Sequence, residues 1–122
     1  MRFAAFSGAL AVGLGAFGAH GLASTLEANH TVETWETAVF YHFIHTLVLL
    51  WLADRGRLYR GPFRCFWVGM TIFSGTLYVL SVSGVKWLGA ITPLGGLALI
   101  AGWIWLGWRA ATETGGSKES QA

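Results

Sequence analysis

A chain of 122 residues has room for one domain. Hydrophobic residues make up 54% of it and charged residues only 11%, against about 25% charged in a soluble domain, so a solvated globular surface is excluded. The net charge of +2 is too small to point to nucleic acid, and a single cysteine, Cys65, excludes an intramolecular disulfide.

Four long stretches carry almost no charge: residues 3–22, 34–53, 65–85 and 87–108. A crossing of the hydrocarbon core takes roughly 20 mainly apolar residues, and backbone polar groups in lipid must be paired within a helix or a closed barrel. Residues 43–52 do not alternate between polar and apolar as a barrel strand requires. The expected fold is therefore all-α, an integral membrane four-helix bundle over residues 1–111, followed by a disordered tail over 112–122 that is rich in Gly, Ser, Glu and Lys.

The first stretch follows Arg2 and has small residues near Ala23 and Ser24, a pattern shared with cleaved leaders. Its length of about 20 residues exceeds a leader's apolar region, and it reads as a span. Two rows of small residues, Ala5-Ala9-Gly13 and Ala11-Gly15-Ala19, mark faces where backbones can touch, which places this helix at the centre of the bundle. Ser24-Thr25-Leu26-Glu27 has the spacing of a capping box and predicts a short helix beginning at Ser24. Gly69, Gly75, Gly95, Gly96, Ala98 and Gly102 offer matching grooves on the third and fourth stretches. Pro93, with Gly95 and Gly96 behind it, marks either a break in the fourth helix or its first turn.

Charge sets the orientation. With four spans, one side collects Arg2, Arg55, Arg57, Arg60, Arg64, Arg109 and Lys118, and the other holds Lys86 with Glu27, Glu33 and Glu36. The positive-inside rule then places both termini in the cytoplasm. Trp35 and Trp87 are expected at the outer interface, and Trp51, Trp67, Trp105 and Trp108 at the inner one. The arginine run is suited to topology and to anionic headgroups.

Ionisable groups inside spans are functional candidates. At 1.5 Å per residue, His20 and Glu36 lie at a similar level, about 11 and about 12 Å outward of their span centres, so a His20–Glu36 pair is the sharpest expected contact, with Thr92 at similar depth. The candidate polar pocket is His20, Glu36, Tyr41, His45, Ser74, Tyr78 and Thr92. His42 and His45 stand one turn apart near the midplane, a spacing that suits two metal ligands. No carboxylate shares their depth, and hydrogen bonds to Ser74, Thr76, Tyr78 or backbone carbonyls are the plainer expectation. No phosphate-binding loop, nucleophile elbow or zinc-protease helix occurs, so no cofactor or catalytic residue is assigned.

Four strings in order give a resemblance. Residues 13–22 (GLGAFGAHGL), Trp35-Glu36-Thr37-Ala38-Val39 leading to residues 41–45 (YHFIH), residues 73–78 (FSGTLY) and residues 88–96 (LGAITPLGG) resemble the motifs of the YgdD/YwdK family of small membrane proteins, domain of unknown function 423. The resemblance implies a four-span protein of the bacterial inner membrane with no known activity, in which His20, Tyr41, His45, Ser74, Gly75, Thr92 and Pro93 match motif positions. Position 42 is glutamine in some relatives. The functional expectation is a non-enzymatic accessory or assembly partner of a membrane complex, in contact with lipid, a membrane-protein partner or a second copy. The alternative is a small-molecule, quinone or proton carrier site in the outer half of the bundle.

Overall fold

The computed structural model describes the backbone of residues 1–119 and the side chains of residues 1–112. Five helices follow one another: α1 (Arg2–Ala19), α2 (Ala23–Ala28), α3 (Val32–Leu52), α4 (Arg60–Ser83) and α5 (Thr92–Glu119). Single 3-10 turns, Arg57–Tyr59 and Lys86–Ala90, precede α4 and α5. No strand occurs among the described residues. Three helical stretches, Arg2–Ala19, Arg57–Ser83 and Lys86–Thr112, are long and apolar enough to cross a membrane. The polar residues of α3 keep that 21-residue helix out of this group.

The long helices pack in the order α1, α3, α4, α5. This overturns the central position expected of α1, which lies at the edge. Its buried stripe is Ala4, Ser7, Ala11 and Gly18, while Ala5, Ala9 and Gly13 are exposed. Smallness on several faces permits close approach on each, but only one face is used. α3 occupies the interior instead, burying Trp35, Ala38, His42, His45, Thr46, Leu49 and Leu52.

Glycines set two of the three helix contacts. A Cβ at Gly69 would stand 2.8 Å from Leu99 N and 2.9 Å from Gly95 O, and one at Gly95 would press on Phe73 N, so α4 and α5 touch backbone to backbone. Gly18 lies beneath the Trp35 indole with no room for a Cβ. Gly75, expected to join the groove, has nothing within 4 Å of its Cβ position. Ala4, Leu49, Leu52, Tyr59, Phe66, Met70 and Leu99 form the apolar core.

Local expectations fared unevenly. The short second helix exists, but it starts at Ala23 with Leu22 as its N-cap and no side-chain cap, so Ser24 lies inside it and no capping box forms. Pro93 is the second residue of α5, where a missing N–H costs nothing, so it starts a helix rather than breaking one. Gly95 and Gly96 serve packing against α4. The α5 backbone stays helical through Glu119, past the point at 112 where composition placed a disordered tail, and residues 120–122 lie outside the described residues. Trp35, expected at the outer interface, is 4% exposed and packed between helices.

Candidate functional site

The polar side chains of the bundle sort into separate groups, each joining particular helices. The largest crosses three. His42, at the middle of α3, meets Ser7 Oγ of α1 through Nε2 at 3.0 Å and the Tyr78 hydroxyl of α4 through Nδ1 at 3.1 Å. Ser7 Oγ lies 2.9 Å from Thr46 Oγ1, which donates to Met70 Sδ at 3.6 Å. The thioether can only accept, so Thr46 accepts from Ser7, Ser7 accepts from His42 Nε2–H, and Nδ1 accepts from Tyr78. All four bonds point one way: Tyr78 to His42 to Ser7 to Thr46 to Met70.

His45 faces a different neighbour. Its Nδ1–H donates to Tyr41 O at 2.8 Å, one turn back, and its Nε2 accepts from the Trp103 indole N–H of α5 at 3.3 Å. Both ring nitrogens are thus partnered, one donating and one accepting, as a neutral imidazole allows. The Tyr41 ring stacks against His45 and tilts against Phe73, 4.4 Å away. His42 and His45 thus diverge although one turn apart, and no His/Cys/Asp/Glu cluster among the described residues could hold a metal.

A third group ties α4 to the start of α5. Thr92 Oγ1 lies 2.8 Å from Thr76 Oγ1, each hydroxyl also within reach of a carbonyl of its own helix or turn, Leu88 O and Ile72 O. At the far end of α4, Asn29 Nδ2 donates to Ser81 O and Val82 O at 3.0 Å, and Thr31 Oγ1 donates to Ser81 O at 2.8 Å. Trp35 Nε1–H donates to Leu14 O at 3.0 Å, fastening α3 to α1.

The expected outer pocket is not assembled. His20 is exposed at the C-cap of α1, where its ring bonds to Ala16 O of its own helix. Glu36 is exposed on the rim of a different cavity, lined by Gly15, Trp35, Val39 and Phe40 between α1 and α3. Equal depth fixed their level but not their azimuth around the helices, and no bond joins them. Of the candidates, Tyr78 joins His42, Tyr41 joins His45, and Thr92 joins Thr76. Ser74 is buried on α4 with its Oγ unpartnered.

Two partners of the histidines went unrecognised in the sequence. Ser7 is the lone hydroxyl on the Ala4-Ser7-Ala11-Gly18 stripe, and that 3-4 spacing was the available signal. Trp103 is exposed, but its indole N–H stands in an apolar stretch, where lipid offers a donor no partner.

A family model described as "Protein of unknown function (DUF423)" matches residues 14–96. The chain belongs to this family. Among curated relatives, the UPF0382 membrane protein YwdK of Bacillus subtilis is 46% identical over 107 residues, covering 82% of this chain and 85% of the relative. A UPF0382 membrane protein of Staphylococcus saprophyticus is 39% identical, covering 84% and 88%, and one of Schizosaccharomyces pombe is 36% identical, covering 82% and 91%. No solved structure matches. The relatives are named as membrane proteins, in keeping with the apolar helices of this chain. The DUF423 match includes His42, His45, Ser74, Tyr78 and Thr92, while Ser7 precedes it.

Proposed function

We propose that this DUF423 protein is a non-enzymatic, four-span accessory or assembly subunit of a complex in a bacterial inner membrane, with both termini in the cytoplasm. The observation that carries this reading is how the interior polar groups are spent. His42, His45, Thr46, Thr76 and Thr92 are bonded across or along helices, and the buried hydroxyls of Ser74 and Ser81, which have no partner, have no base bonded to them, so among the described residues no activated nucleophile or acid–base pair stands ready for chemistry. The described chain beyond the long helices consists of short connections, leaving little besides helix faces to meet a partner.

Those faces suit either lipid or another apolar helix. On α1, Phe3, Phe6, Leu10, Val12 and Phe17 are exposed, and on α5 Leu94, Leu97, Ile100 and Ile104. Having α3 along one side only, α1 is free to take a second helix on the other. The fourth span is α3, which lies between α1 and α4 and is long enough, at about 1.5 Å per residue, to match them.

The test is capture of the tagged full-length chain from native membranes in a mild detergent. A membrane partner recovered in fixed stoichiometry is the expected outcome, weakened by bulky polar substitution on α1 at Phe6 or Leu10. Recovery of the chain alone, at native expression, overturns the accessory role.

A further inference from the structure

A cavity of about 400 Å³ lies between α1 and α4 with His42 of α3 at its floor. Its volume falls within the range of small-molecule sites, about 300–1,000 Å³. The walls are apolar and rich in rings: Phe3, Phe6 and Leu10 on one side, Trp67 and Met70 on the other. Ser7, Ser74 and Tyr78 are its hydroxyl-bearing residues together with Thr71, and no Lys, Arg, Asp or Glu lines it. A charged head, whether carboxylate or phosphate, would therefore be desolvated without a counter-ion.

The hydrogen-bond inventory narrows the occupant further. Ser7 and His42 have spent their protons and facing lone pairs on the chain that ends at Met70. Tyr78 has donated its proton to His42, which leaves its oxygen able to accept. Ser74 is 2% exposed, and its Oγ has no partner. A buried hydroxyl left unmatched has given up its water without replacement, which is destabilising. Ser74 and Tyr78 are four residues apart on α4 and so share a face. Gly75 beside them leaves open space where a side chain would stand.

We infer that this cavity binds a neutral, lipid-soluble molecule whose ring-sized head bears a carbonyl or hydroxyl oxygen, the chemistry of a prenylated quinone and its quinol. The head oxygen accepts from Ser74, and a hydroxyl in the reduced form donates to Tyr78. Flat aromatic walls suit a ring, and the apolar remainder of the cavity suits its hydrocarbon tail. Binding alone is inferred, and it stands whether or not the chain has a protein partner.

The test uses the full-length chain in phospholipid nanodiscs, titrated with decylubiquinone and with decylubiquinol, bound ligand being counted by native mass spectrometry. Saturable binding of one equivalent is expected. Gly75→Leu fills the cavity and weakens binding at least about tenfold, whereas Gly13→Leu, which adds the same bulk at an exposed position with nothing within 4 Å, leaves it unchanged. Ser74→Ala, which adds no bulk and carries the test if Gly75→Leu fails to fold, weakens binding about fivefold, as loss of one hydrogen bond of about 1 kcal/mol requires. Overturning results are non-saturable uptake, retention of phospholipid alone, or equal affinity in wild type and Ser74→Ala.

Discussion

Gly69 and Gly95 hold α4 and α5 at backbone contact, and the atoms nearest a Cβ at Gly95 are all backbone, with no flexible side chain that could give way. Adding a methyl group to Gly95 must push the helices apart or bend one, at a cost of about 1–3 kcal/mol. Gly95→Ala is expected to lower stability by that amount in reversible unfolding, while Gly13→Ala and Gly107→Ala, where a Cβ meets nothing within 4 Å, stay close to wild type. Equal stability of all three would contradict the tight α4–α5 contact. His42 makes a chemically different demand, since it accepts on one nitrogen and donates from the other. His42→Leu strands Tyr78 and Ser7. With interhelical bonds in bilayers averaging about 0.6 kcal/mol each, the expected loss is about 1–2 kcal/mol. His42→Gln, which keeps a donor and an acceptor, should recover at least half of it. If the two variants unfold alike, the polar chain contributes packing alone.

At the scale of elements, the end of α4 shows how separate segments complete one another. Its chain leaves through Gly84 in the left-handed region, φ +70°, and the last carbonyls take hydrogen bonds from Asn29 and Thr31, which lie between α2 and α3. Unpaired helix-end carbonyls are otherwise left to solvent. Asn29→Ala is therefore expected to fray the last turn of α4, with faster hydrogen exchange at Leu80 to Val85 and about 1 kcal/mol lost. Unchanged exchange there would make the Asn29 bonds incidental. Long uncharged runs made the helices legible, because hydropathy needs no knowledge of neighbours. The α4–α5 glycine contact was legible in part, with Gly69, Gly95 and Gly102 in place and Gly75 facing open space. Azimuth was not legible: α1 carries small residues on several faces, so spacing could not choose the Ala4-Ser7-Ala11-Gly18 stripe. The same gap separated His20 from Glu36, which depth alone had joined. Of the partners expected for the histidines, Tyr78 and a backbone carbonyl are in place and Ser74 and Thr76 are not, while Ser7 and Trp103, arriving from other helices, were invisible to any argument made along one element.

For the whole molecule, topology turns on α3. It is the one long helix outside the stretches apolar enough to span, because a hydropathy average counts His42, His45 and Thr46 as if they faced lipid. Each is buried and bonded to α1, α4, α5 or its own backbone, and paired polar groups are the ones a bilayer interior tolerates. Glu27 and Asp54 flank α3, and both are exposed. They can therefore report on that one helix. In a Cys65→Ser background, which removes the chain's own thiol, Glu27→Cys should react with a membrane-impermeant maleimide added to intact spheroplasts. Asp54→Cys should react only after permeabilisation. Labelling of both positions from one side would mean that α3 does not cross, leaving three spans and termini on opposite sides. Labelling with the sides exchanged would keep four spans but set the arginine-rich end outside, against the charge asymmetry that Arg55, Arg57, Arg60 and Arg64 impose.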